Sequence, residues 1–327
     1  MSLRKRIRRR AMAAVLCGLA TAIALQLGFG FAAECDPGLR DPAFGDKWAK
    51  LKRVTANCHP EYLMLGSSRT LLGFRADGRN FNFGTPAAGP ITNAVYWERL
   101  KSRGVRPEIL LIEVLPAHLA DGPNGPIEQQ FLIGQRLLSS ELEAVEAFGF
   151  DPAVIRPAWR DSAICPIFNL RRQTLGRVLP GWLPWDSRFD WSRNTDAFGW
   201  ATPPRQDVTD AERAELFEKV KVEYRATLEG LNPFGRPLQA LKSLIDSARV
   251  IGASPVLVLM PEAPSYRALY PMGLRERVRT SLESLAIPLV DASEWLEESD
   301  FYDGHHPFQK GAEAFTTRLM REVSRDR

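Results

Sequence analysis

The sequence predicts an α/β protein: a flavodoxin-like, three-layer α/β/α domain with about five parallel strands, a long and mostly helical insertion, and an N-terminal transmembrane helix. Three observations support this prediction. Short apolar runs that end in glycine or proline alternate with segments of helical period, which is typical of parallel strands joined by right-handed crossovers. The alternation stops over residues 117–236 and then resumes. The chain also begins with an uncharged apolar stretch long enough to cross a bilayer.

The N-terminus combines a basic flank with an apolar segment. Arginine and lysine are concentrated in residues 4–10, and Ala11–Ala33 contains no charged side chain. Because basic flanks stay in the cytoplasm, the remainder is expected in the periplasm or at the cell surface. Residues 1–33 are therefore either a membrane anchor or a signal peptide cleaved near Gly30–Ala33. The length of the apolar segment favours the anchor.

Charge and cysteine content exclude several classes of function. The net charge of +4 comes from the basic N-terminus, so no nucleic-acid-binding face is expected. The four cysteines form no C-x-x-C motif, which argues against a thiol redox enzyme or a zinc ribbon. Export permits disulfides, and Cys35 and Cys58 are one candidate pair, although spacing alone does not select partners.

Residues 34–60 are predicted to be a polar connector, and residues 61–327 are predicted to form the α/β domain. Five strands are predicted in that domain: Tyr62–Leu65, Asn80–Gly84, Glu108–Leu115, Pro255–Met260 and Ile287–Val290. Helices are predicted in the connector, between the strands and after the last strand: Asp46–Arg53, Gly89–Arg103, Leu238–Ile251, Met272–Leu285 and Pro307–Val323. Each strand run is short and apolar, as expected for strands covered on both faces.

Residues 117–236 are predicted to be one long insertion, more typical of a lid or a partner surface than of a separate domain. Its expected helices are Pro126–Ala147, Ile164–Val178 and Asp207–Leu228. The stretch Pro180–Pro204 is too aromatic to be disordered. It contains Trp182, Trp185, Trp191 and Trp200. These rings would either stack on sugars or form a small additional core.

The segment Gly66–Ser67–Ser68–Arg69 follows the first strand. In an open α/β sheet, active-site groups collect at the carboxyl ends of the strands, and Ser68 lies at such an end. Its hydroxyl is a candidate nucleophile, provided that a base accepts its proton. The competing interpretation is an ordinary turn in which the serines cap a helix.

Asp303–Gly304–His305–His306 is the matching candidate near the C-terminus. The D-x-x-H spacing lets Asp303 orient the ring of His306, whose other nitrogen can then serve as the base for Ser68. His305 is the alternative base, and an exposed turn is the competing interpretation. Asp303, His305 and His306 could also ligate a metal, but no H-E-x-x-H helix is present, and neither a metal nor a cofactor is expected.

An acyl-transfer site also needs hydrogen-bond donors for the oxyanion. The backbone N–H groups of Ser68 and Gly84 are the candidates. Glu113, at the end of the third strand, is expected to be structural or to contact substrate, because a carboxylate is a poor oxyanion donor. Arg69 is either an anion-binding residue or a surface charge.

These residues resemble the SGNH (GDSL-like) hydrolase superfamily. Gly66–Ser67–Ser68 is similar to its first block, with Ser68 in the nucleophile position, and Gly84 is similar to its second-block glycine. Asp303 and His306 match its last block. The N-terminal anchor and the segment Met260–Pro271 are similar to a membrane-anchored branch that includes DUF1574-type, AlgX/AlgJ-like and DltD-like cell-envelope proteins.

The sequence departs from the SGNH pattern at two points. Ser67 replaces the usual aspartate, and Glu113 stands where the third block carries an asparagine. The resemblance implies a membrane-anchored, serine-dependent O-acyl esterase or acyltransferase that acts on cell-envelope or exported polysaccharide esters. The implied partners are the membrane, a carbohydrate or acyl-ester substrate, and other envelope proteins. The alternative is a catalytically inactive binding or assembly protein with the same fold.

Overall fold

The computed structural model describes residues 3–55, 58–121, 125–182, 194–203 and 207–325. They form an α/β fold around one all-parallel, five-stranded sheet with the order β2-β1-β3-β4-β5. The strands are β1 (Tyr62–Leu65), β2 (Phe81–Asn82), β3 (Ile109–Glu113), β4 (Ser254–Leu259) and β5 (Leu289–Asp291). Each overlaps its predicted segment, and β1 matches it residue for residue.

The central strands are buried on both faces, which explains their continuous apolar sequences. Every residue of β1 and β3 is buried. Leu65 of β1 pairs with Ile112 of β3, so the carboxyl ends of these strands lie side by side. The order 2-1-3-4-5 is a doubly wound order, in which crossovers run in opposite directions from β1. Groups that follow β1 and β3 therefore meet at one edge of the sheet.

The first five helices are α1 (Leu3–Cys35), α2 (Pro37–Arg40), α3 (Pro42–Val54), α4 (Ser68–Gly73) and α5 (Pro90–Ser102). The predicted connector is therefore largely helical. Pro37, Pro42 and Pro90 each occupy the first turn of a helix, where the missing N–H costs no hydrogen bond. The apolar segment of α1 is exposed, and α1 is long and apolar enough to span a membrane.

The insertion contains α6 (Leu142–Ala147), α7 (Pro152–Ile164), α8 (Pro166–Asn169), α9 (Arg171–Val178) and α10 (Asp210–Glu229). The prediction of one helix over Pro126–Ala147 is wrong for most of its length. Most of that segment consists of short 3₁₀ turns: Ile127–Gln130, Gly134–Arg136 and Ser139–Glu141. A Cβ on Gly134 would lie 2.1 Å from the carbonyl oxygen of Ile155, so this turn packs directly on the α7 backbone.

The prediction of one helix over Ile164–Val178 is also wrong, because the chain breaks around Pro166. Proline lacks the N–H that a helix interior needs, so Ile164 ends α7 and Pro166 opens α8. The α10 prediction is confirmed to within a few residues. Thr209 caps α10 through a reciprocal contact with Glu212.

The chain ends with α11 (Arg236–Val250), α12 (Pro264–Arg267), α13 (Leu274–Glu283) and α14 (Gln309–Arg325). The insertion shares the hydrophobic core of the sheet: Leu132, Val145, Phe150 and Tyr224 belong to the same buried cluster as the strands. All four cysteines are unpaired, so the candidate Cys35–Cys58 disulfide is absent.

Candidate active site

The turn after β1 depends on close packing at Gly66. A Cβ there would lie 2.1 Å from Thr70 Oγ1 and 2.3 Å from Glu113 Oε2, so no larger residue fits. Ser67 caps α4, because its hydroxyl accepts a hydrogen bond from Arg69 N–H at 3.1 Å. Ser68 is consequently the first residue of α4, at the carboxyl edge of the sheet. The capping role that the sequence suggested falls to Ser67, which leaves Ser68 available for another contact.

The structure brings Ser68, His306 and Asp303 into one hydrogen-bonded row. His306 Nε2 lies 2.7 Å from Ser68 Oγ, across a sequence separation of 238 residues. His306 Nδ1 lies 2.7 Å from Asp303 Oδ2. Both distances are normal for hydrogen bonds. The arrangement matches a Ser–His–Asp triad in geometry, and the catalytic roles of its members remain a prediction.

The loop that presents His306 is held by Asp303. Asp303 Oδ1 accepts the backbone N–H groups of His305, at 3.1 Å, and His306, at 2.8 Å. Gly304, which follows Asp303, has φ +92°, a value that favours glycine. Burial alone would raise the pKa of Asp303. Attraction to the protonated form of His306, together with the hydrogen bonds from His306, outweighs burial and holds that pKa well below its usual range.

The two adjacent histidines have different surroundings. The His306 ring stacks on Tyr302 at 5.7 Å. His305 is buried and makes edge contacts with Tyr224 and Tyr266 at 5.5 and 5.4 Å. Burial, together with the charge of His306, lowers the pKa of His305 well below its ordinary value. His306, and not the alternative His305, therefore contacts the serine, while His305 supports the loop as a neutral ring.

Arg69 is buried and is not a surface charge. Its side chain is only 1% exposed. The guanidinium donates to the carbonyl oxygens of Met260 at 2.8 Å and Pro261 at 3.0 Å, and to Glu262 Oε1 at 3.2 Å. Burial lowers the pKa of Arg69, but the carboxylates of Glu262 and Glu113 more than reverse that effect, so the pKa is raised. Arg69 therefore joins the turn after β1 to the loop after β4.

Glu113 orders the turn Gly66–Thr70, which we call the serine turn, by accepting hydrogen bonds from it. Its carboxylate accepts hydrogen bonds from Ser67 N–H at 2.6 Å, Ser67 Oγ at 2.8 Å and Thr70 Oγ1 at 2.6 Å. Glu113 is itself buried. Glu113 and Arg69 are both buried and are hydrogen-bonded within the protein, so the structural interpretation of Glu113 fits better than a substrate contact.

Gly84 is close to the turn, but its N–H is already in use. It donates to Asn82 Oδ1 at 2.8 Å, and a Cβ on Gly84 would lie 2.5 Å from Leu71 N. The amide of Asn82 donates in turn to the carbonyl oxygens of Thr70 and Phe74, at 2.8 and 2.6 Å. Gly84 therefore fits as a packing residue and not as an oxyanion donor. The N–H of Ser68 has no acceptor within the described residues and remains available.

The insertion helix α10 covers the loop Asp303–His306, which we call the triad loop. Strand and helix patterns did not reveal this contact. A Cβ on Gly304 would lie 2.8 Å from the Phe217 ring of α10, and Tyr224 of α10 contacts His305. Tyr302 was also missed, although it directly precedes Asp303. The available signal was the spacing of Val220, Tyr224 and Leu228, which recur every four residues and are the residues that α10 buries.

The tryptophans of the insertion have different positions. Trp200 is buried and donates from Nε1 to the carbonyl oxygen of Leu72 at 2.7 Å. Arg75 lies over its ring at 5.2 Å. Trp182 is exposed. Trp185 and Trp191 lie outside the described residues. Trp200 thus fits the small-core interpretation, and sugar stacking by the other rings stays a prediction.

The ligand atoms of Asp303, His305 and His306 lie within 4.8 Å of one another, close enough to hold a cation. In the triad row, however, both ring nitrogens of His306 already contact Ser68 and Asp303. The same three residues can therefore serve either a metal or the serine, and the observed hydrogen bonds match the serine arrangement.

Comparisons with known proteins do not assign the chain to a family. No protein-family model matches it, and no curated protein is significantly similar to it.

Proposed function

We propose that the chain is an exported, membrane-anchored O-acyl esterase or acyltransferase that uses Ser68 as its nucleophile. The observation that carries this proposal is the row formed by Ser68, His306 and Asp303, with 2.7 Å at both hydrogen bonds. A serine hydroxyl needs an adjacent base to become nucleophilic, and an imidazole needs an orienting group to act as that base. The row supplies both.

The proposed reaction begins with attack of Ser68 Oγ on an ester carbonyl, while His306 Nε2 takes the serine proton. Asp303 accepts the Nδ1–H of His306 and stabilises the imidazolium. Ser68 N–H is the candidate donor to the oxyanion. When the tetrahedral intermediate collapses, His306 returns the proton to the leaving alcohol. Water or a sugar hydroxyl then attacks the acyl-serine, which gives hydrolysis or transfer.

The substrate class and the location rest on the sequence. The basic flank and the apolar segment of α1 favour an anchored domain outside the cytoplasm. The resemblance to membrane-anchored SGNH proteins favours polysaccharide esters of the cell envelope as substrates. The exposed apolar surface of α1 is consistent with this placement.

The second candidate function is a binding or assembly module of the cell envelope with an inactive site. Two observations favour it. The N–H of Gly84 already donates to Asn82. Glu113 is buried at the position where the third SGNH block carries an asparagine, which would be a further oxyanion donor. One remaining backbone donor would stabilise an oxyanion weakly, since removal of a single donor in other enzymes costs roughly 10²–10³ in rate.

A fluorophosphonate probe tests the proposal on the full chain in detergent micelles. We expect labelling of the wild-type protein, complete loss in Ser68→Ala, and a strong decrease in His306→Ala, because the probe reports an activated serine. Turnover of an acetyl ester should follow the same order. Asp303→Asn should lower turnover by roughly 10²–10⁴-fold, because the imidazole then loses its orienting acceptor.

Ser102→Ala is the matched control, since Ser102 is an exposed serine on α5 whose hydroxyl donates to Arg99 O at 2.9 Å. Its labelling should equal that of the wild type. A folded wild-type protein that neither labels nor hydrolyses the ester would contradict the enzyme and support the binding module.

A further inference from the structure

The extracytoplasmic end of α1 does not protrude freely from the domain. It packs against α7 and α8 of the insertion. Gln26 Oε1 accepts the backbone N–H of Ile167 at 3.1 Å, and a Cβ on Gly30 would lie 3.4 Å from the Pro166 ring. Glu34 accepts the N–H and the hydroxyl of Ser139, both at 2.9 Å. The anchor and the insertion are therefore joined over about two turns of α1, from Gln26 to Glu34.

The depth of this contact follows from helix geometry. A hydrocarbon core of about 30 Å is crossed by about 20 residues at about 1.5 Å per residue. Counted from Ala11, the first residue after the basic flank, that span ends near Gly30. Gln26 precedes Gly30 by four residues, so it lies about 6 Å on the hydrocarbon side of that boundary. The start of α8, which Gln26 contacts, lies at a similar depth.

Large apolar side chains are exposed at this contact. Ile164 at the end of α7 is 71% exposed, and Phe168 in α8 is 59% exposed. Ile167, whose N–H contacts Gln26, is also exposed. We call these three residues, together with Arg171, the collar patch. A cluster of apolar side chains next to an exposed apolar helix needs an apolar surrounding, because water contact is unfavourable for both.

The charge around the collar patch suits an anionic surface. Residues 152–179 contain five arginines and one acidic residue, Asp161, and one of these arginines, Arg156, is paired with Glu146. Arg171 lies over the Phe168 ring, 3.9 Å from its centroid, and is exposed. Arginine beside apolar and aromatic side chains is the usual composition of a surface that lies in the headgroup region of a bilayer.

We propose that the collar patch is immersed in the interfacial region of the bilayer that α1 crosses, in the leaflet opposite the N-terminus. Ile164, Ile167 and Phe168 contact acyl chains, and Arg171 contacts the phosphates of anionic headgroups. The inference rests on the anchoring part of the proposed function and is independent of the serine chemistry. In this arrangement α1 and the insertion together fix the orientation of the domain relative to the membrane.

Continuity with α1 favours lipid over a second copy of the chain. The exposed apolar surface of α1 extends up to the collar patch, and a bilayer covers both at once. Excess arginine on each chain would instead repel an identical patch.

Spin labels measure the environment of the patch directly. The full chain, with its four cysteines replaced by serine, is reconstituted into vesicles that contain phosphatidylglycerol. Single cysteines are introduced as Phe168→Cys, as Ile23→Cys in the apolar segment of α1, and as Val222→Cys on α10, where Val222 is 81% exposed. Accessibility of each label to oxygen is compared with its accessibility to a water-soluble nickel complex.

We expect the label at position 168 to favour oxygen over the nickel complex at least several-fold, as at position 23, and the label at 222 to show the reverse. An aqueous label at 168 with a lipid-exposed label at 23 would overturn the proposal while leaving the anchor intact. Dipolar coupling between labels at 168 would also overturn it, in favour of a second copy. An aqueous label at position 23, or cleavage of the N-terminal segment, would contradict both the membrane anchor and the collar-patch proposal. None of these outcomes depends on Ser68.

Discussion

The shape of the triad loop depends on glycine at position 304. Its φ of +92° and its contact with Phe217 both exclude a side chain. Gly304→Ala should therefore destabilise the protein through backbone strain, about 1–3 kcal/mol, and through the clash with the Phe217 ring. We expect a lower midpoint in thermal denaturation together with slower fluorophosphonate labelling, because the displaced loop carries Asp303 and His306.

Gly252 provides the matched control for this substitution. Its φ is +83°, but nothing lies within 4 Å of a Cβ built on it. Gly252→Ala should therefore show the strain alone, with unchanged labelling. Phe217→Ala combined with Gly304→Ala should recover part of the lost stability. Equal losses in the two glycine variants would show that contact with α10 is unimportant.

Buried polar residues hold the serine turn through hydrogen bonds to Glu113. Ser67 and Thr70 donate hydrogen bonds to the carboxylate of Glu113, and Arg69 Nε lies 3.9 Å from Glu113 Oε1. A buried carboxylate is tolerated only when it is well supplied with donors. Ser68 is then the serine left facing His306.

At the scale of elements, α10 connects the insertion to the site. Tyr224 is buried and contacts His305 at 5.5 Å and Tyr266 at 6.0 Å. Truncation of a buried aromatic residue to alanine typically costs about 3–5 kcal/mol. Tyr224→Ala should therefore lower stability, measured by chemical denaturation, and should also lower the labelling rate because His305 loses its support.

Val222→Ala is the control on the same helix, because Val222 is highly exposed. Tyr224→Phe should stay near the wild type in both measurements, since the ring contacts remain. If Tyr224→Ala labelled at the wild-type rate, the insertion would not support the triad loop.

At the scale of the whole molecule, buried histidines should make stability depend on pH. Burial lowers the pKa of His118 from 6.5 to about 4. Between these values the unfolded chain binds a proton that the native protein does not, so the free energy of unfolding falls as pH falls from about 6.5 to about 4. The shift corresponds to at most about 3 kcal/mol. His305, whose pKa is also lowered, acts in the same direction.

Urea denaturation at several pH values tests this dependence. His118→Gln should flatten the decrease of stability between about pH 6.5 and pH 4, because the variant lacks the titrating group. His59→Gln is the control, since His59 is exposed. A wild-type free energy of unfolding that stays constant over this window would contradict the prediction.

Local patterns were sufficient for elements whose own sequence sets their limits. β1 is bounded by Gly66 and is apolar throughout, and Thr209 with Glu212 marks the start of α10. The segment Pro126–Ala147 could not be predicted in the same way. Its chain direction is set by close backbone packing of Gly134 on α7, a contact between distant parts of the sequence.

The sequence by itself determined the apolar N-terminal helix, the parallel α/β fold and the three residue types of the candidate triad, because each depends on patterns within a few residues. Only the tertiary structure decided that His306 and not His305 faces Ser68, that Arg69 and Glu113 are buried, and that Gly84 N–H is occupied. These outcomes depend on which groups the sheet order brings together and on how burial distributes a limited set of hydrogen-bond partners.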